Sequence, residues 1–226
     1  MEAAVIPSLL VFGPQAKLPS QEILAGMRQE LISNSQLSPL YDAVKSLPQF
    51  WHALVSFDSS LSHVPGAKYL DELQRWITDG GSFPHHLEDI PDVYDVPILV
   101  LVQVTQYFAY LKLLGGQNTH RRVLEAVREG GIQGFCGGFL SAIAVAVATR
   151  EEDIAAFAAI SLRIAVCIGA YSDQDSRFAE PPSPTACLAI RWQKDDFNNQ
   201  DVARFIGGFP TVSLSHAIRK TGKITY

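Results

Sequence analysis

Apolar residues recur along this chain mostly at the three- and four-residue spacing of helices, and only rarely with the alternation of strands. Four early segments with this spacing predict helices over residues 20–31, 40–47, 49–57 and 68–81. We expect Ser20 to cap the first of these helices and the glycine pair at 80–81 to end the last.

Two longer apolar segments predict buried helices in the middle of the chain. Residues 97–114 form the most apolar run, and Pro97 suits the first turn of a helix because it has no amide hydrogen to donate. A second run covers residues 154–171, and residues 149–152 before it fit a capping box. Both helices are expected to lie in the core.

Strand patterns are short and few. Residues 8–12 form an apolar run that stops at a glycine-proline pair, and residues 132–135 lead into a glycine-rich turn. A helix of small residues follows that turn. Short strands separated by helices indicate an α/β arrangement with a short parallel sheet and many helices. We assign residues 1–175 to this large subdomain.

The composition changes after Tyr171, where a polar, proline-rich stretch indicates a surface loop or a subdomain boundary. Beyond it, residues 186–226 show the patterns of a strand, a helix and two further strands, which predict a small α+β unit. The last strand pattern runs to the end of the chain, so we expect this second unit to be incomplete.

Composition and charge exclude several classes of protein. With 47% apolar and 18% charged residues, the chain has the make-up of a folded globular protein. A net charge of −5 gives no reason to expect nucleic acid or an anionic membrane as a partner. Gln103, Thr105 and Gln106 interrupt the apolar run 97–114, whose uninterrupted part falls short of the roughly 20 residues of a membrane span.

The cysteines and histidines give no sign of a metal or a disulfide framework. The chain has three scattered cysteines and no CxxC pair. His85 and His86 lie in a predicted loop without recognisable further ligands. The N-terminus carries Glu2 rather than the basic start of a signal peptide. These features favour a reducing, cytoplasmic location and no bound metal.

The most informative stretch is Gly134-Phe135-Cys136-Gly137-Gly138, which fits the G-x-C-x-G form of a nucleophile elbow. In such a turn the residues two before and two after the nucleophile must be tiny, because strand and helix almost touch. The helix N-terminus offers free N–H groups and a partial positive charge, which favour a thiolate over a thiol. Cys136 is therefore a candidate nucleophile, with the Gly137 N–H as one donor of an oxyanion hole.

The motif alone leaves two other interpretations open. Glycine-rich turns between a strand and a helix also bind phosphate groups, and cysteine is among the residues most often buried as simple core side chains. The strand-like run before the motif and the small helix formers after it favour the elbow.

A second turn adds to this picture. The stretch from Val11 to Gln15 follows the first predicted strand. Together with the elbow it resembles the malonyl/acyl-transferase superfamily, most closely the starter-unit acyltransferase (SAT) domain of fungal non-reducing polyketide synthases. The long helix from Pro97 and the segment from Leu162 to Tyr171 are also similar to that family. Its first strand ends in phenylalanine-glycine-aspartate-glutamine, so Pro14 departs from the pattern by standing where the aspartate is usual.

The resemblance implies an acyltransferase-like large subdomain followed by a small ferredoxin-like subdomain, here partial. It also implies a starter-unit transacylase for polyketide biosynthesis, a branch of secondary metabolism. Cys136 would take an acyl group from a thioester of coenzyme A or of an acyl carrier protein, and pass it to a carrier protein. No cofactor would be bound, and the partners would be the carrier protein and other polyketide synthase domains.

The resemblance also assigns the remaining site residues. Gln15 and the Gly137 N–H would hold the oxyanion, and Gly134, Phe135 and Gly138 would contact the substrate. Related transacylases of charged extender units keep an arginine near the position of Ser161, and Arg163 lies close by. The starter family uses neutral acyl chains, which we expect here.

The chain's histidines provide no base that can be matched to the family. The family's catalytic histidine lies beyond the ferredoxin-like insert, so we expect the chain to be truncated before it. Of six histidines, His216 alone follows the elbow subdomain, and its alternating strand pattern favours a structural role.

Three interpretations therefore stand at this point. The first is a starter-unit acyltransferase, active or formerly active. The second is a catalytically inactive, truncated SAT-like module that docks a carrier protein or a synthase partner. The third is an unrelated α/β enzyme of the hydrolase type that uses a cysteine.

Overall fold

The computed structural model describes residues 6–14, 19–81, 83 and 90–178, with the backbone alone for 175–178. By its internal contacts the chain divides into two units, Met1–Ser183 and Pro184–Tyr226. The predicted ferredoxin-like unit over residues 186–226 falls outside the described residues and stays a prediction.

The described part of the chain is mostly helical, with two short strands. In chain order the elements are β1 (Leu10–Phe12), α1 (Gln21–Ser33), α2 (Ser38–Lys45), α3 (Leu47–Phe57), α4 (Gly66–Asp79), α5 (Asp92–Leu114), α6 (Thr119–Ala126), β2 (Ile132–Gly134), α7 (Gly138–Val147) and α8 (Ile154–Phe178). Short 3-10 turns cover Ser35–Leu37, Ser59–His63 and Glu151–Asp153. The predicted α/β class is confirmed at this coarse level.

The first four helices follow their local sequence signals. The Ser20 side chain accepts a hydrogen bond from Ile23 N at 3.3 Å and so caps α1, as predicted. Gly80 ends α4 with a φ of 84°, a left-handed conformation that glycine adopts without strain. Both α2 and α3 carry a proline in their first turn, where its missing amide hydrogen does no harm. The apolar faces of these helices join one core with α5 and α8.

The strands β1 and β2 pair in parallel, with Phe12 opposite Gly134. The ladder extends one residue further, because Phe135 N donates to Phe12 O at 3.0 Å. Since both strands run in the same direction, the turns that follow them lie at the same edge of the sheet. This pairing brings the residues after Phe12 beside the turn that contains Cys136.

The two long helices, α5 and α8, pack closely against each other. Gly169 of α8 lies on the backbone of α5, where an added Cβ would approach Val93 N to 2.5 Å. One turn later, Asp173 accepts hydrogen bonds from Asp92 N at 2.8 Å and from Val93 N at 2.9 Å. The carboxylate of α8 therefore caps the first turn of α5.

This cap corrects the predicted start of α5. The sequence placed Pro97 in the first turn, but the helix begins at Asp92 and Pro97 lies inside it. The earlier turn forms because Asp173 satisfies two of the N–H groups that a helix start leaves without intrahelical partners. Pro97 still lies near the N-terminus, so it removes only the bond that its amide would have given to Val93 O.

Both ends of α8 also differ from the prediction. No side chain caps the 3-10 turn Glu151–Asp153, so the predicted capping box over residues 149–152 is wrong. Arg150 instead donates to the Asp153 carboxylate through two bonds of 2.9 and 2.8 Å, which fix the turn before α8. At the other end, α8 continues to Phe178, past the change in composition after Tyr171.

Two helical segments, α5 and Glu151–Gln174, are long and apolar enough to cross a membrane by length and composition alone. Buried positions make up 61% of the apolar window of the first and 56% of that of the second. Core helices of globular proteins pass the same test, so these helices are weak support for a membrane span.

Replacing Gly169 with alanine is expected to destabilise the chain, because the added methyl group would strike the backbone of α5. We expect the free energy of unfolding to fall by about 1–3 kcal/mol, the usual cost of overpacking. Gly26→Ala is the matched control, since nothing lies within 4 Å of its added Cβ. That variant should gain about 0.5–1 kcal/mol.

Urea denaturation followed by circular dichroism measures both variants. A Gly169→Ala chain as stable as the Gly26→Ala chain would contradict the close packing of α5 on α8.

Candidate active site

Cys136 lies in the tight turn between β2 and α7, with its backbone in the left-handed region at a φ of 52°. Among the described residues, Asn118 is the other non-glycine residue with positive φ. This conformation costs a residue with a Cβ about 1 kcal/mol or more and persists only where the surroundings impose it. The Cys136 side chain is exposed, and the thiol is free. The turn therefore presents the sulfur to solvent.

The two outer glycines of the motif are required by close backbone contacts. A Cβ at Gly134 would lie 2.7 Å from Gly138 O and from Phe139 N, so strand and helix meet at this point. A Cβ at Gly138 would lie 2.6 Å from Phe12 O and would also strike Gly13 O. The predicted need for tiny residues on both sides of the cysteine is confirmed. Gly138 is buried and seats the start of α7 on the turn after β1.

Gly137 also lies in a confined place, and its amide is available. A Cβ there would lie 2.8 Å from the Leu99 side chain of α5. The N–H groups that follow are occupied, with Gly138 N donating to Phe135 O at 3.0 Å and Phe139 N to Cys136 O at 3.0 Å. In the described part of the chain, no oxygen accepts a hydrogen bond from Gly137 N. A free amide next to the sulfur is what an oxyanion donor needs.

The turn after β1 forms the other side of this region. Gly13 and Pro14 are described, whereas Gln15, the predicted second oxyanion donor, lies outside the described residues and stays a prediction. Gly13 O accepts a hydrogen bond of 2.8 Å from Gln103 Nε2 of α5. The sequence reasoning missed Gln103, which it treated only as an interruption of an apolar run. A polar residue in the middle of a buried helix was the signal available.

His120 is buried and has a structural role. Tyr107 Oη and Ala148 O each lie 2.8 Å from one of its ring nitrogens. Because a carbonyl oxygen only accepts, Nε2 carries the proton and Nδ1 accepts from the Tyr107 hydroxyl. Burial raises the pKa of the Tyr107 phenol, so it remains a donor at neutral pH. Both ring nitrogens of His120 are thus engaged in structural hydrogen bonds. His216, the histidine that follows the elbow subdomain, and the pair His85 and His86 lie outside the described residues.

A groove of about 320 Å³ runs beside the elbow between β2 and α7. Its lining is mainly apolar and includes Gly134 and Phe135, two of the predicted substrate contacts, but not Cys136 itself. Phe135 and Phe139 are each about half exposed, at 53% and 56%. The residues beside the thiol therefore present apolar surface.

Arg163, the remaining predicted substrate contact, is exposed on α8. It lines neither the groove beside the elbow nor a second groove along β1, which Gln103 and Gln106 of α5 help to line. Ser161, two residues earlier, is buried and donates its hydroxyl to Leu140 O of α7 at 3.0 Å. The position considered for a charge-binding arginine thus holds a neutral side chain that is bonded to α7.

Within the described ranges, no group of three or more histidine, cysteine, aspartate or glutamate side chains is placed to hold a metal ion. The reactive groups that the structure describes at this turn are the Cys136 thiol and the backbone amides around it.

Comparison with known proteins identifies relatives over most of the chain. 5-Methylorsellinic acid synthase of Aspergillus terreus is 38% identical over 82% of this chain. The non-reducing polyketide synthase esdpA of Penicillium shearii is 36% identical over 93% of it. Methylphloroacetophenone synthase of Cladonia uncialis is 35% identical, also over 93%. The chain spans only 7–9% of the length of these three relatives.

A family model described as "Starter unit:ACP transacylase in aflatoxin biosynthesis" matches residues 70–218, a range that contains the elbow and α8. The resemblance drawn from the two turns is thereby confirmed. The chain belongs to the SAT family, and its relatives include fungal proteins that are named non-reducing polyketide synthases.

Proposed function

We propose that this chain is a starter-unit transacylase that carries an acyl group on Cys136 and delivers it to an acyl carrier protein. The observation that supports this most strongly is the exposed thiol held in a left-handed turn, with a free Gly137 amide beside it. A buried structural cysteine would have neither feature. Membership of the SAT family makes acyl transfer, rather than phosphate binding, the chemistry that fits.

In the first half-reaction the Cys136 thiolate attacks the carbonyl carbon of an acyl thioester of coenzyme A or of a carrier protein. A carbon–sulfur bond forms, and the carbonyl oxygen becomes an oxyanion that accepts hydrogen bonds from Gly137 N–H and the Gln15 side chain. The tetrahedral species then collapses and breaks the bond to the original sulfur. The departing thiolate takes up a proton, and a thioester remains on Cys136.

In the second half-reaction the phosphopantetheine thiolate of a carrier protein attacks the same carbonyl carbon. The oxyanion forms again in the same place, and Cys136 leaves as a thiolate. Because one thioester replaces another in each half, no oxidant, metal or bound cofactor is required. The same oxyanion donors serve both halves, which a turn of fixed geometry makes possible.

A neutral acyl chain is the substrate that the described residues favour. Ser161 is uncharged, buried and bonded to Leu140 O, so it provides no cation for a substrate carboxylate. Arg163 lies on the exposed surface of α8, away from the two described grooves. The described residues that line the groove beside the elbow include no cation that could pair with a substrate carboxylate, whereas Phe135 and Phe139 offer apolar surface to an alkyl chain.

The proposal includes the setting in which the chain acts. It spans 9% of the length of esdpA, a relative that is named a non-reducing polyketide synthase, so the carrier protein and the other synthase domains are the proposed partners. We propose a cytoplasmic location for this assembly, with no nucleic acid or membrane partner.

Incubation of the purified chain with hexanoyl-coenzyme A is expected to add one acyl mass, which intact-mass spectrometry detects. Cys136→Ala should abolish the adduct because, of the two cysteines in the described residues, this one is exposed and lies beside an amide without an acceptor there. Cys167→Ala is the matched control and should load normally, since that thiol is partly buried inside α8 and burial raises its pKa.

The outcomes separate the remaining interpretations. Absence of an adduct on the unmodified chain, with binding of carrier protein retained, would support the inactive docking module instead. Hydrolysis of simple esters without transfer to a carrier protein would show that this member of the SAT family acts as a hydrolase and would contradict the proposed transfer.

Loading from hexanoyl-coenzyme A is expected to be about 10- to 100-fold faster than loading from malonyl-coenzyme A, because the described lining of the groove beside the elbow offers apolar contacts to an alkyl chain and no cation to a carboxylate. Arg163→Gln should leave this ratio unchanged, since the exposed guanidinium is not placed to bind the substrate. Initial rates of adduct formation at equal concentrations give the ratio. A faster reaction with malonyl-coenzyme A that collapses in Arg163→Gln would show that a charged substrate is bound.

A further inference from the structure

We infer that Gln103 of α5 is a positioning residue for the oxyanion site, an inference that rests on the proposed function. The side-chain amide of Gln103 holds the turn after β1 against the first residue of α7, at the end of the elbow. The contact is made through the carbonyl oxygen of Gly13, which accepts a hydrogen bond of 2.8 Å from Gln103 Nε2.

The carbonyl of Gly13 is fixed from two sides. On one side it accepts the hydrogen bond from Gln103. On the other side it lies so close to Gly138 that no Cβ fits between them. The hydrogen bond from Gln103 therefore holds the turn after β1 in contact with Gly138, the first residue of α7, which lies two residues after Cys136. A change at Gln103 would be transmitted to the elbow through a single carbonyl group.

The identity of the next residue explains why an outside hydrogen bond is needed. Pro14 has no amide hydrogen, so it cannot close the turn with a backbone hydrogen bond of its own. Proline also disfavours the helical conformation at Gly13, the residue before it. Gln15 follows directly in the sequence, so the position of Gly13 sets where the segment that carries Gln15 begins.

Stability alone does not account for a glutamine at this position. Gln103 lies in the middle of the apolar helix α5, and its buried Oε1 has no hydrogen-bond partner among the described residues. Burial of an unpaired acceptor is unfavourable, and a leucine of similar size would avoid it. Thr105, the other polar residue buried in the middle of this helix, bonds to the carbonyls of Leu101 and Val102 within α5. Gln103 instead directs its donor out of the helix to the turn.

The experiment compares Gln103→Leu with Gln106→Leu in the full chain. Gln106 is exposed on the same helix and lines the same groove along β1, so it is the matched control. Two rates are measured for each variant: acylation of Cys136 by hexanoyl-coenzyme A and alkylation of Cys136 by iodoacetamide. Alkylation depends on the thiol alone, whereas acylation also depends on the oxyanion donors.

Gln103→Leu is expected to lower the saturating rate of acylation about 10- to 100-fold, somewhat less than loss of an oxyanion donor itself. The half-saturating concentration, the alkylation rate and the melting temperature should stay near those of the unmodified chain. Gln106→Leu should resemble the unmodified chain in every measurement. Equal acylation by both variants, or a parallel fall in acylation and alkylation for Gln103→Leu, would overturn the inference.

Amide hydrogen exchange tests the same contact without any acyl transfer. Phe135 N–H is bonded to Phe12 O at the end of the ladder, so release of the β1 turn in Gln103→Leu should speed its exchange. Unchanged exchange at Phe135 would overturn the positioning role even if the chain acylates. Faster exchange in a chain that never acylates would uphold the contact and contradict the proposed function.

Discussion

The site depends on a backbone constraint at Cys136. Its left-handed conformation is unfavourable for a residue with a Cβ, and it is imposed because Gly134 and Gly138 bring strand, turn and helix into backbone contact. A larger residue at either glycine would force the elements apart. The same contact leaves the sulfur exposed and the Gly137 amide without an acceptor among the described residues. The proposed nucleophile and the proposed oxyanion donor are thus two results of one packing requirement.

Helix α5 connects this constraint to the rest of the molecule. Its Leu99 side chain lies under Gly137, and its Gln103 holds Gly13 in the neighbouring turn. The first turn of α5 is in turn capped by Asp173 of α8. The middle of α5 therefore contacts both turns of the site, the elbow and the turn after β1. The start of α5 is fixed by α8. A mechanism that uses the same oxyanion donors twice benefits from such rigid support.

Much of this was predictable from the sequence because the signals are local. Ser20 caps α1 and Gly80 ends α4 through contacts within a few residues, and Gly134 meets Gly138 and Phe139 within the same turn. The features that sequence reasoning missed join distant parts of the chain. Asp173 caps α5 across 81 residues, and Gln103 reaches Gly13 across 90. Neither contact leaves a periodic pattern, so the start of α5 and the support of the oxyanion turn required the structure.

The most direct test of the account is to locate the acyl group within the chain. Trypsin cleavage after Arg128 and Arg150 releases a peptide in which Cys136 is the sole cysteine, while Cys167 and Cys187 fall in separate peptides. After brief exposure to a hexanoyl thioester, tandem mass spectrometry is expected to find the acyl mass on Cys136, and to find it removed by a phosphopantetheinylated carrier protein. An acyl group on Cys167, Cys187 or a lysine, or one that the carrier protein does not remove, would contradict the account.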